Sequence, residues 1–192
     1  MKTVILTGDR PTGNLHIAHL AGSVINRVEM QNSNEFDEIL MLIADSHAMT
    51  DNFKVVIKIK ENIVNVSFSY LSVCSHPSKV NICSQSQIPE LTELSFYFMN
   101  LVTVSRLERN PTVKIEIKQK NFDKSVPAGF LTYPVSQASD IASFMATHVP
   151  VGEDQNPLIE LSREIIRSFN SIYGETLVVP ETVRSKNSKE RR

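Results

Sequence analysis

Val4-Ile5-Leu6-Thr7-Gly8-Asp9-Arg10-Pro11-Thr12-Gly13-Asn14-Leu15-His16-Ile17-Ala18-His19 sets a short apolar run ahead of a glycine-containing turn and a helix start. A helix N-terminus presents free N–H groups and the positive end of the helix dipole, which suits phosphate. Gly8 and Gly13 allow backbone to approach a ligand closely. His16 and His19 are three apart and share a helix face. Two imidazoles there are suited to donate hydrogen bonds to phosphate oxygens as charge develops in phosphoryl transfer. An isolated pair at this spacing is more often a solvated face or half of a metal site. The preceding strand, the Pro-Thr-Gly turn and the helix start together decide for phosphate. Neither a Walker-type loop nor Gly-x-Gly-x-x-Gly is present, so ordinary P-loop and dinucleotide readings fail. On these residues alone, a small adenylyltransferase with a His-x-x-His phosphate site fits.

Outward from that loop the chain alternates strand and helix. A helix is expected over 16–31 with Ile17, Leu20, Val24 and Val28 on one face, then a buried strand, Ile39 to Ile43. Residues 54–72 are rich in β-branched residues. Val56, Ile59, Ile63, Val66 and Tyr70 nevertheless keep a helical spacing over a length no single strand reaches, so a helix is expected. A third strand is expected at 79–84. Residues 89–126 interrupt the rhythm and read as a helical insertion, with breaks near Asn110-Pro111 and at Pro127. Beyond it a helix is expected over 134–146 and a strand over 148–151. In the next helix Asp154 is the expected cap and Pro157 sits in the first turn. Leu158, Leu161, Ile165, Phe169 and Ile172 form its stripe, and Gly174 ends it. Leu177-Val178-Val179 is expected to start another strand. The fold class is therefore α/β, a Rossmann-like parallel sheet flanked by helices, with ligands bound at the carboxyl ends of the strands.

The chain has 192 residues, of which 41% are hydrophobic. That is enough for one domain with a real core, placed at 1–183. No apolar run is long enough to span a membrane, and no leader is visible at the N-terminus. Cys74 and Cys83 form neither a disulfide framework nor a four-ligand zinc site. A reduced, cytoplasmic setting follows, with no metal site. The net charge is −1, yet residues 184–192 hold five Lys or Arg and one acid, leaving −5 on the rest. This short basic tail reads as a solvated terminus, and no global basic field invites nucleic acid.

Three later stretches carry candidate chemistry. Ala44 to Asp51 follows the second strand. Asp140 sits among Ala138, Ile141 and Ala142, either capped or exposed, or accepting a hydrogen bond from a ligand donor in a pocket. Gly152-Glu153-Asp154-Gln155 precedes a helix, as a cap or as a contact for a ribose or an ammonium. His76 and His148 have no motif around them.

Pro-Thr-Gly-x-Leu-His-x-x-His after a first strand resembles the first signature of class I aminoacyl-tRNA synthetases. Ala44-Asp45-Ser46-His47-Ala48-Met49-Thr50, the run from Gly129 to Ile141, and Pro150-Val151-Gly152-Glu153-Asp154-Gln155 with Ile159 to Glu164 narrow the likeness. Together they are similar to the bacterial tryptophanyl-tRNA synthetases, in order from residue 1 to about 182. The tyrosyl enzymes are close kin, and Gly-Glu-Asp-Gln favours tryptophan.

The resemblance implies activation of tryptophan by ATP with Mg2+ and transfer to tRNA(Trp), in a homodimer joined through the inserted helices, with tRNA charging by this chain expected to be weak or absent. It assigns Arg10, Pro11, Thr12, Ala18, His19, Gly152, Glu153 and Asp154 to ATP, and His16, His19 and Lys114 to catalysis. Gly8, His47, Tyr133, Gln137, Asp140 and Gln155 fall to tryptophan, with Asp140 accepting the indole N–H and Tyr133 and Gln155 holding the ammonium. Ala18 stands where the family has Gly, so its methyl is expected to crowd the adenine. Lys-Met-Ser-Lys-Ser, the second signature, has no counterpart in the residues from Arg184 to Arg192, and no anticodon-binding helices are present. The alternative implied is a truncated, impaired module that binds tryptophan or nucleotide without efficient aminoacylation.

Overall fold

The computed structural model describes residues 2–13, 25–33, 35–74, 76–122 and 125–183. Among these residues five parallel strands form one sheet: β1 (Val4–Asp9), β2 (Glu38–Ile43), β3 (Val80–Ser84), β4 (His148–Pro150) and β5 (Glu181–Val183). Their order across the sheet is β3-β2-β1-β4-β5. The chain leaves β1 toward β2 and β3, then returns to place β4 on the other side of β1. That reversal makes a switch point at the carboxyl ends of β1 and β4, where ligands bind in folds of this kind.

Sequence periodicity explains the layers. In a strand successive side chains point to opposite faces. Val4 and Leu6 of β1 join Leu40 and Leu42 of β2 in one buried cluster. Ile5, Ile39, Met41 and Ile43 enter the other. Both faces being covered, these strands read as unbroken apolar runs. The first face is covered by α7 (Ala128–Ser143) and α8 (Asn156–Tyr173), through Val135, Ala138, Ile141, Ile159 and Ile165. The second is covered by α3 (Val56–Ser72), through Val66 and Tyr70. The helical reading of 54–72 is thus borne out.

Between β3 and α7 lie α4 (Pro89–Phe98), α5 (Val104–Arg109) and α6 (Pro111–Gln119). This is the expected insertion, and the Asn110-Pro111 break falls between two of its helices. Asn110 caps α6, its side-chain oxygen accepting from the N–H groups of Thr112 and Val113, while its amide donates to the Pro157 carbonyl at 2.9 Å. Arg106 holds Glu164 with two bonds of 2.9 and 2.7 Å. Both contacts anchor the insertion to α8.

Five expectations are corrected. The helix α1 (Ile25–Asn32) buries Asn26, Arg27 and Gln31 rather than the apolar Val28. The helix expected at 134–146 begins at Ala128 and carries Pro134 inside it. Asp154 does not cap α8; it lies in a short 3-10 turn, Glu153–Gln155, and Gln155 precedes the helix. Ile172 is largely exposed. The last strand is Glu181–Val183, not 177–179, because Asn170 occupies the backbone of Leu177. The Asn170 side chain donates to the Leu177 carbonyl at 2.8 Å and accepts from its N–H at 3.0 Å. Gly174 does end α8, at a φ of +89° that other residues rarely adopt.

Gly8 sits on β1 opposite Leu42 of β2. A Cβ there would lie 2.6 Å from the Leu42 carbonyl oxygen, a backbone atom that cannot swing away. Gly8→Ala is expected to lose about 1–3 kcal/mol of stability, as overpacking does, although Ala is ordinarily the better strand residue. Urea denaturation checks this; an Ala variant as stable as the parent contradicts the contact.

Candidate active site

A cavity of about 500 Å³ opens at the carboxyl ends of β1, β2 and β4. Its wall includes Gly8, Arg10, His47, Tyr133, Gln137, Asp140, Gly152 and Gln155, drawn from the loops after three strands and from α7. Tyr133, Gln137 and Asp140 are spaced i, i+4 and i+7, so α7 presents them along one face.

Asp140 is 3% exposed. Its two carboxylate oxygens each accept from Nε2 of Gln85 at 3.0 Å. Burial raises its pKa to about 8, and the Gln85 bond opposes the rise. Even a protonated carboxyl keeps acceptor lone pairs beyond those taken by one shared amide, so capacity remains for a further donor. His47 Nε2 stands 3.7 Å from Asp140 Oδ2. Burial, with the Arg10 charge adding to it, lowers the His47 pKa to about 4. The imidazole is neutral at pH 7 and the contact is no ion pair. Its Nε2 and the Tyr133 hydroxyl are buried without a hydrogen-bond partner among the described residues, and the two rings meet edge to face at 6.5 Å.

Gln85 also accepts from the His47 N–H at 3.1 Å. Asp45 accepts from the Ser86 N–H at 2.9 Å and from its hydroxyl at 2.5 Å. The turn after β3 is thereby tied to α2 (Asp45–Asn52) and to α7.

A second network lies at the end of β1. Asp9 accepts from Arg27 at 2.6 Å and from the Tyr70 hydroxyl at 2.9 Å. Arg27 Nε donates to Thr7 at 3.0 Å, and its guanidinium lies 5.0 Å from the Tyr70 ring centroid. Burial holds the Tyr70 hydroxyl above its ordinary pKa. This is why α1 turns polar residues inward: its inner face meets a strand end that carries a carboxylate. A third group joins α2, α6 and the first loop. The Asp51 side chain, 1% exposed, pairs with Lys120 at 2.7 Å and with Arg10 at 3.5 Å.

All six residues assigned to the amino acid line the cavity, together with Arg10 and Gly152 of the ATP set. Pro11, Thr12, Glu153 and Asp154 are chain neighbours of wall residues but do not line it, and Lys114 is exposed on α6 away from the wall. His16, Ala18 and His19 lie outside the described residues. Gln85, Asp9, Arg27, Glu116 and Lys120 went unread in the sequence. Only Arg27 left a trace there, as a charge near the expected apolar face of its helix.

A family model described as tRNA synthetases class I (W and Y) matches residues 1–187. The tryptophan–tRNA ligase of Clostridium longisporum is 60% identical over 188 residues, covering 97% of this chain and 55% of its own length. That of Streptococcus mutans is 57% identical, with the same coverage of each chain. The tryptophanyl-tRNA synthetase of Campylobacter jejuni, solved with ADP and tryptophan, superposes with a TM-score of 0.86 at 31% identity, over 96% of this chain and 56% of that one. The chain spans about half the length of the relatives it matches.

The raised pKa of Asp140 carries a stability consequence. Folding favours its protonated form, so its contribution is fully present below its unfolded pKa, near 4, and is lost as pH rises toward about 8. Asp140→Asn removes this loss. Relative to the parent, the Asn variant should gain stability with rising pH across that window, by at most about 1.4 kcal/mol per pH unit, and level off above it. Urea melts at a series of pH values measure the difference; one that does not change with pH contradicts a buried, neutral Asp140.

Proposed function

The chain belongs to the class I tRNA synthetases for tryptophan and tyrosine, and from that premise we propose that it is the amino-acid-activating part of a tryptophan–tRNA ligase. One observation carries the reading: the six residues assigned to tryptophan by resemblance converge on a single cavity at the switch point of the sheet. Indole carries one N–H donor and no acceptor. Asp140 is a buried acceptor with unused capacity, walled by His47 and Tyr133, and that is what an indole N–H needs.

In the reaction the tryptophan carboxylate oxygen attacks the α-phosphorus of ATP. A bond forms from that oxygen to phosphorus, the bond to the bridging oxygen breaks, and pyrophosphate leaves. The tryptophanyl-adenylate then passes its acyl group to a ribose hydroxyl of tRNA(Trp), releasing AMP. Mg2+ accompanies ATP as part of the co-substrate. Arg10 and Gly152, both in the cavity wall, are assigned to the nucleotide, with Pro11, Thr12, Glu153 and Asp154 near them along the chain, and His16, Ala18 and His19 complete the first signature. His16 and His19 meet the phosphates as negative charge grows on them. Lys114 takes a phosphate only by moving inward, whereas Lys120, held by Asp51, already stands beside Arg10.

The active species is a homodimer. Phe96 and Tyr97 of α4 are exposed by 70% and 53%, beside a groove lined by Pro89, Thr92 and Glu93. Aromatic side chains so exposed suit an interface. Among the described residues no helix is long and apolar enough to cross a membrane, and the cytoplasm, where tRNA is charged, is the proposed setting.

Tryptophan-dependent exchange of pyrophosphate into ATP tests the activation step. The chain is expected to catalyse it, and Asp140→Ala is expected to abolish it and to remove tryptophan binding in calorimetry while the fold persists. Unchanged tryptophan affinity in the Ala variant contradicts the pocket assignment. Binding without exchange leaves a module that recognises tryptophan but does not activate it.

A further inference from the structure

Three carboxylates line the cavity: Asp9, Asp140 and Glu116. Two already have a role: Asp9 holds Arg27 and Tyr70, and Asp140 holds Gln85 and is the acceptor assigned to the indole N–H. Glu116, on the inserted helix α6, makes no ion pair among the described residues and faces the same cavity. Its neighbour is Tyr133. Burial first, then the charge and close approach of the Glu116 side chain, hold the Tyr133 hydroxyl above its ordinary pKa.

The layout along α7 places Glu116 relative to the substrate. Tyr133 and Asp140 are seven residues apart, about 10 Å of helix rise. An indole seated with its ring N–H on Asp140 extends its amino-acid end toward Tyr133, Gln155 and therefore Glu116. At that end the other wall groups, Tyr133, Gln137 and Gln155, are neutral. Arg10, also in the wall, repels a cation. An ammonium taken out of water needs an opposite charge as well as dipoles, and Glu116 is the carboxylate left to supply it. We infer that Glu116 is the counter-charge for the α-ammonium of the amino-acid substrate, so that the inserted helix contributes directly to substrate recognition. The inference rests on the tryptophan reading above.

The test is calorimetry with tryptophan, tryptamine and indole-3-propionate on the parent and on Glu116→Gln, a substitution that keeps size and removes charge. Tryptophan and tryptamine, which carry the ammonium, should weaken by about tenfold to a hundredfold, the scale of a lost hydrogen bond to a charged group. Indole-3-propionate lacks the ammonium and should bind both proteins alike. Equal weakening of all three ligands, which a merely structural role would give, overturns the inference. So does undiminished affinity for tryptophan in Glu116→Gln where the parent binds it, and that result leaves the tryptophan reading standing. A parent that binds none of the three overturns both.

Discussion

The site depends on one carboxamide. Gln85, 4% exposed, donates to both oxygens of Asp140 and accepts from the backbone of His47. It joins three elements that are far apart in sequence: the end of β3, the start of α2 and the last turn of α7. A buried polar network of this kind is stable only when each member is satisfied. The partners Gln85 finds therefore fix where Asp140 stands. With Asp45 holding Ser86 beside it, the loops after β2 and β3 become one rigid wall, and α7 is set against that wall in a single register.

The other wall is built from the opposite sign of the same constraint. β1 is central and covered on both faces, so polar groups on it reach open space only toward its ends, and the carboxyl end opens into the cavity. Asp9 meets that opening, and the fold answers with two donors, Arg27 and the Tyr70 hydroxyl. Gly8, one residue earlier, has no room for a side chain against Leu42. Backbone closeness at Gly8 and charge satisfaction at Asp9 thus shape the floor on which a substrate would rest.

Much of this was legible in the sequence. The unbroken apolar run from Ile39 to Ile43, the helical spacing from Ile59 to Tyr70 and the insertion with its Asn110-Pro111 break all appear as read. The six residues assigned to tryptophan were reached through motif resemblance, since spacing alone left Asp140 open between cap and ligand acceptor. Periodicity failed where polar residues turn inward. It assumes that the buried face is apolar, and α1 buries Arg27 and Gln31 because its neighbour is a charged strand end. Gln85 and Glu116 escaped because a single carboxamide after a strand, or one acid on a charged helix, has no pattern of its own. The last strand was misplaced because one side chain, Asn170, captures the backbone groups of Leu177 that a ladder would use.

The central claim is that Asp140, set in place by Gln85, reads the ring N–H of an indole amino acid. The direct measurement compares, by calorimetry on the parent chain, tryptophan with its benzothiophene isostere, in which sulfur replaces the N–H and the shape is kept. The account predicts weaker binding of the isostere by about fivefold to a hundredfold, the cost of leaving a buried acceptor unpaired. Equal affinity for the two would contradict it.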